Sequence, residues 1–203
     1  MRSIYDFIIE PLGNRYDNTT KVGEVNLITN TSIESWKHVN NYAKVIETPV
    51  GISTPIRKGD TIVVHQNVFR TFYDMKGKKK NSRSFLEDNK FICAVDQVYL
   101  YKSKSHNPWR ALGDRCFVVP VENTDDFSND KTEPLIGILR IDNSSLNELG
   151  MRVGDVLGFT PNSEWEFSVD NQLMYCMRTK DIVIKYEHKQ DQKEYNRSWT
   201  SSS

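Results

Sequence analysis

Apolar and polar residues alternate along most of this chain in short runs bounded by Gly, Pro, Asn and Asp, the period of two that marks β-strands. The runs cover residues 5–10, 43–47, 61–65, 91–95 and 97–101 in the first half. In the second half they cover 115–119, 136–141, 156–159, 173–177 and 181–186. The pattern predicts an all-β fold. Helical periodicity is weak throughout. Only residues 32–42 offer a turn or two, with Ser32 as the cap, and the Asn and β-branched residues there argue against it.

The two halves repeat each other. SIYDFIIEPL matches ALGDRCFVVPV, IRKGDTIVV matches MRVGDVLGF, and DNKFICAVDQVYLYK matches DNQLMYCMRTKDIVIKY, in the same order. Asp6 then lies over Asp114, Gly59-Asp60 over Gly154-Asp155, and Asp88-Asn89 over Asp170-Asn171. The offsets between copies are 108, 95 and 82, so the second copy is shorter by 13 residues in each of two places. One follows the first strand and the other follows the third, where copy one carries DMKGKKKNSRS. Length changes of that size are accommodated in surface loops, so both are expected to be loops. The reading gives a first copy over residues 1–102, with a long mobile loop at 12–42, and a linker at 103–111. A second copy follows over 112–188, and then a disordered polar tail at 189–203.

Charge and chemistry narrow the function. The chain has 27 basic and 27 acidic residues in 203, which disfavours binding driven by bulk charge, to nucleic acid or to an anionic membrane. That zero is a cancellation, +4 over residues 1–102 against −4 over 103–203. No window approaches a membrane-spanning length, and the start MRSIYDFIIEPLG lacks the apolar core of a signal peptide, so a cytoplasmic protein is expected. Cys93, Cys116 and Cys176 form no CxxC and sit in apolar runs, which reads as buried free thiols. No phosphate-cradling glycine loop, catalytic triad ordering or paired metal ligands occur among His38, His65, His106 and His188, so neither an enzyme, a metal nor a cofactor is expected.

The strand with an Asp, the long loop, the V-G-D-x-V strand and the closing D-I-x-x-I pair resemble the GroES-type co-chaperonins. LGDRCFVVPV, IGILRI, RVGDVLGF and LMYCMRTKDIVIKY carry the resemblance in copy two. SIYDFIIEP, AKVIE, RKGDTIVV and FICAVDQVYLY carry it in copy one, where NVFRTFYDMKG and KNSRSFLEDN look like segments of co-chaperonins from tailed phages. The resemblance covers about residues 3–101 and 111–187. It implies two tandem, partly open small β-barrels, a homo-oligomeric ring, and a lid that caps a GroEL-type chaperonin cylinder, of the host or cognate. The enclosed client is an unfolded protein, the ATPase belongs to the cylinder, and a viral gene would act in the host cytoplasm. Tandem copies cannot fill a seven-barrel ring without remainder, and seven chains with copy one forming the lid is the favoured arrangement.

The family grips its partner through the loop after the first strand, where a short apolar segment docks in a groove of the cylinder. Here that loop reads KVGEVNLITNTS, and the implied anchors are Gly23, Val25, Leu27 and Ile28. Glu24 and Asn26 interrupt the three consecutive apolar residues usual in the family. Two other readings stand: Val25 and Leu27 as an ordinary hairpin strand, or Ile33 and Trp36 as the anchor. The matching stretch of copy two, residues 122–134, is acidic with Phe127 its one large apolar side chain, so one chain is expected to carry one hook. The basic insertion at 76–83 reads as a solvated hairpin loop without the interleaved aromatics of a single-strand platform, and Phe69, Phe72, Tyr73 and Phe85 beside it as core or interface. The short connections at 48–56 and 142–151 leave little for a roof over the dome. The competing functions are a viral structural or decoration protein that reuses the barrel, and an OB-like nucleic-acid-binding module.

Overall fold

The structure, a computed structural model, describes residues 2–15, 39–103, 106–124, 130–187 and 193–195, and the backbone of 19–22 and 25–28. The chain forms two compact units, Met1–Trp109 and Arg110–Ser203, whose boundary falls in the expected linker. Unit 1 carries β1 (Phe7–Pro11), β2 (Thr19–Val22), β3 (Val25–Ile28), β4 (Tyr42–Glu47) and β5 (Thr61–Val64). It continues with β6 (Thr71–Tyr73), β7 (Lys79–Asn81), β8 (Phe85–Glu87), β9 (Lys90–Cys93) and β10 (Val98–Lys102). Unit 2 carries β11 (Arg110–Ala111), β12 (Arg115–Glu122), β13 (Thr132–Ile141), α1 (Ser144–Glu148) and β14 (Val156–Phe159). It ends with β15 (Trp165–Val169), β16 (Gln172–Arg178) and β17 (Ile182–Lys185).

The protein is nearly all β, as the alternation predicts. Within unit 1 the strands run β10-β5-β4-β1-β9-β8, and in unit 2 β17-β14-β13-β12-β16-β15, with every neighbouring pair antiparallel. The two orders are the same when strands are matched along the sequence. Among the described residues no ladder joins the two ends of either sheet. Both 13-residue excesses of copy one leave this shared plan as hairpins with ladders of their own, β2–β3 and β6–β7. Both loops expected there carry a hairpin: once the chain exits and returns, antiparallel pairing satisfies its backbone groups.

The same local chemistry builds the same turn twice. Before β5, Gly59 at φ +90° donates its N–H to Val45 O at 2.8 Å, and Val45 N–H donates to Asp60 O at 2.9 Å. Before β14, Gly154 at φ +91° donates to Leu139 O at 2.8 Å, and Leu139 N–H donates to Asp155 O at 2.8 Å. Asp60 Oδ2 accepts from Arg57 N–H and Asp155 Oδ2 from Arg152 N–H, each at 2.8 Å. Before β9 and β16, Asp88-Asn89 and Asp170-Asn171 all take positive φ, between 40° and 63°, the two-residue turn whose twist matches antiparallel strands.

The cores depart from strict alternation. β12 buries six consecutive residues, Cys116 to Val121, and all four residues of β14 are buried, so these strands are covered on both faces. Phe69 meets Phe91 edge-on at 4.9 Å in unit 1. In unit 2, Cys116, Val118, Leu139, Leu146 and Leu157 form one cluster. A Cβ at Gly137 would come within 2.7 Å of Val118 Cγ2, which fixes how closely β13 lies on β12.

Two features depart from the sequence reading. A helix lies at α1; the stretch 32–42, where helical periodicity is weak, falls outside the described residues at 32–38, and Tyr42 opens β4. Five residues are too few to show a helical period. The start is fixed by Asn143, whose Oδ1 accepts from Leu146 N–H at 2.9 Å while its Nδ2 donates to Arg115 O and Thr179 Oγ1, each at 2.8 Å. The tail expected to be disordered is in part ordered: residues 193–195 bond to the backbone of β12.

A Cβ at Gly59 would meet nothing within 4 Å, so a substitution there acts through the positive φ alone, and Gly154 takes the same φ. Gly59→Ala and Gly154→Ala are each expected to cost about 1–2 kcal/mol, read as a lowered urea midpoint. An unchanged midpoint for either contradicts the shared turn.

Candidate functional site

The segment predicted to grip a partner leaves unit 1 between β1 and β4 through a closed neck. Leu12 N–H donates to Tyr42 O and Asn40 N–H to Arg15 O, each at 2.9 Å. The Asn40 side chain completes the closure: Nδ2 donates to Leu12 O at 2.6 Å and Asn14 O at 2.9 Å, and Oδ1 accepts from Tyr42 N–H at 2.9 Å. Beyond the neck the backbone of β2 and β3 forms a two-stranded sheet of its own, in which Thr19 faces Ile28, Thr20 faces Leu27, Lys21 faces Asn26 and Val22 faces Val25. Val25, Leu27 and Ile28 therefore share one strand of a hairpin, the arrangement the second sequence reading describes. Gly23 and Glu24, between the two strands in sequence, and the alternative anchors Ile33 and Trp36 lie outside the described residues.

Arg15 ties this neck to the second insertion. Its Nε and Nη2 donate to Phe69 O at 3.1 and 2.6 Å, its Nη1 donates to Asn81 Oδ1 at 2.9 Å, and its guanidinium lies 4.7 Å from the centre of the Phe91 ring. One cation thus joins the root of the long loop, the end of β7 and the core aromatic of β9, a geometry that suits the fork of arginine and not the point charge of lysine. Ser82 fastens the other side, its Oγ donating to Val68 O at 2.6 Å. Where the two insertions meet, Gly13, Asn14, Arg15, Thr71, Lys79 and Asn89 line an open polar cleft of about 340 Å³, with no carboxylate, thiol or imidazole in its walls.

The basic insertion is the exposed hairpin that the sequence reading describes. Asp74 Oδ1 accepts from the N–H of Lys76 and of Lys78, each at 2.9 Å, and fixes the turn between β6 and β7. The ladder sets Phe72 opposite Lys80 and Tyr73 opposite Lys79, one aromatic–lysine pair on each face of the ribbon. Of the four aromatics expected in core or interface, Phe69 is fully buried. Phe72, Tyr73 and Phe85 are 43%, 45% and 37% exposed, and Met75 at the tip is wholly exposed.

Among the described residues no three His, Cys, Asp or Glu side chains come together as a cation site, and no helix is long and apolar enough to cross a membrane. His65 Nδ1 accepts from Asn67 N–H at 3.1 Å and caps the turn after β5. Glu47 is held below its ordinary value by the hydrogen bond from Lys58 Nζ at 2.6 Å. The three cysteines are free and buried. Burial pushes the thiols of Cys116 and Cys176 up to about 12 and raises that of Cys93 as well.

Sequence reasoning missed Arg15 and Asn40. Asn40 sits 26 and 28 residues from the carbonyls it bonds, and Arg15 sits 54 and 66 residues from its partners, so no local pattern announces either.

Raised thiol values favour the neutral form in the folded state. The stability they contribute is complete below the ordinary value of 9.0 and is lost as pH rises from there toward about 12. At pH 8 a disulfide reagent should leave all three thiols unreacted in the native protein and titrate them after denaturation. Prompt reaction of the native protein contradicts the burial.

No protein-family model matches the chain, and no curated protein matches it either.

Proposed function

We propose that this protein is a co-chaperonin: an oligomeric, non-enzymatic lid, with seven chains favoured, that caps a GroEL-type cylinder and assists ATP-dependent folding of a client in the enclosed cage. The observation that carries the reading is an asymmetry between two units of equal strand order. Between the first two strands of its shared plan, unit 1 sends out a separate ribbon bearing Val25, Leu27 and Ile28. At the same place in unit 2 the ladder already pairs Glu122 with Thr132, which leaves nine residues, acidic in character, to make the connection.

A short apolar strand on a long polar tether suits a reversible grip. Ordering the tether on binding consumes part of the interaction free energy, so affinity stays moderate and the lid can leave in each cycle. Extended backbone on a two-stranded ribbon also has an unpaired edge with which to meet a groove. The ATPase belongs to the cylinder, and the lid needs no catalytic group of its own.

Deleting residues 23–29 should abolish capture of the chain by an immobilised chaperonin in the presence of nucleotide. The far-UV circular dichroism should stay close to that of the parent, because the neck at Asn40 lies outside the deletion. Undiminished capture by the deletion variant overturns the assignment of the hook.

A further inference from the structure

The neighbours of β12 cover it unevenly. β16 pairs with it only from Arg115, opposite Arg178, to Val118, opposite Tyr175. β13 pairs with it as far as Glu122, opposite Thr132. Residues 120–122 therefore present one backbone edge beyond the end of the β16 ladder, and an unpaired edge is a template for an added strand.

Residues 193–195 fill that edge in antiparallel alignment. Glu122 N–H donates to Lys193 O at 2.8 Å, Tyr195 N–H donates to Pro120 O at 2.9 Å, and Val121 bridges to Glu194 between them. Pro120 has no N–H, so this edge ends on a carbonyl and can register an incoming strand in one position. The central side chain is read from both flanking strands. Glu194 Oε1 pairs with Nη2 of Arg140 on β13, and its Oε2 accepts from Nε2 of Gln172, at the start of β16, at 3.2 Å. Two backbone bonds and a carboxylate held by a cation and an amide make a sequence-dependent receptor.

We propose that residues 120–122 of β12, with Arg140 and Gln172, form an acceptor site for an extended peptide with a central carboxylate, and that residues 193–195 are its displaceable ligand within the same chain. The contact is small enough to exchange. It spans three residues, and the Arg140 and Glu194 side chains remain 37% and 40% exposed, so water and a competing carboxylate can reach the pair, while a reversed charge there turns attraction into repulsion. Occupancy comes from tethering: the segment follows β17 closely in sequence, which gives it a high effective concentration at the site. Strand addition to a short free edge, with side-chain reading of one position, is a known mode of peptide recognition.

The test uses the full-length chain and a fluorescein-labelled peptide of residues 191–198, DQKEYNRS, followed by anisotropy. Glu194→Lys should open the site and bind the peptide at least about 100-fold more tightly than the parent, whose own segment competes. Arg140→Glu should also open it, yet refuse that peptide and accept one in which its glutamate is replaced by lysine. The double variant, Arg140→Glu with Glu194→Lys, should close the site again. Hydrogen exchange at the Glu122 amide gives an independent reading: slow in the parent, fast in each single variant, slow in the double. Equal binding by the parent and Glu194→Lys chains, no binding by either, or an Arg140→Glu chain that takes the glutamate peptide as well as Glu194→Lys does overturns the proposal.

Discussion

Backbone pairing of a buried central strand is the constraint on which the rest of this protein depends. β1 and β12 are each flanked by two antiparallel neighbours, and both are almost wholly buried. A strand so placed can accept no extra residue without orphaning hydrogen-bonding groups or shifting its register. Any length gained during divergence has to leave the sheet at a connection. That is where unit 1 carries its two insertions, while the Gly-Asp and Asp-Asn turns that set the strand order are retained in both units.

Leaving the sheet has its own cost, since an isolated two-stranded ribbon is marginally stable. Unit 1 meets it at the roots. Asn40 closes the neck of the long loop by satisfying four backbone groups around it, and Arg15 bonds across to the root of the second insertion. The result is a firm base and an independent ribbon beyond it, which is the division a reversible hook requires. Unit 2 uses its spare backbone differently: the end of β12 that β16 leaves unpaired is taken by residues 193–195.

What the sequence made legible follows from how local the governing chemistry is. The ten strands read from alternation all occur, and the turns at Gly59, Gly154, Asp88-Asn89 and Asp170-Asn171 could be matched because each needs a particular residue at a positive φ. The positions of the two insertions were likewise legible as changes of offset. α1 was not, since a five-residue helix shows no period and is fixed by one cap, Asn143. The β6–β7 hairpin was legible as a solvated loop, but the pairing of Phe72 with Lys80 and of Tyr73 with Lys79 was not, because it exists only across a ladder. Arg15 acts over 54 and 66 residues, and the tail docks chiefly through main-chain groups common to every residue, so neither left a local trace.

In the proposed role as a folding lid, the ribbon beyond the Asn40 neck is what couples this protein to a chaperonin. The most direct measurement is refolding of a client that a chaperonin cylinder and ATP cannot fold without a lid. A lid is expected to form an ATP-dependent complex with the cylinder and to restore recovery of native client when this chain is added. Client recovery that does not change on adding the chain, with no complex formed in ATP, would contradict it.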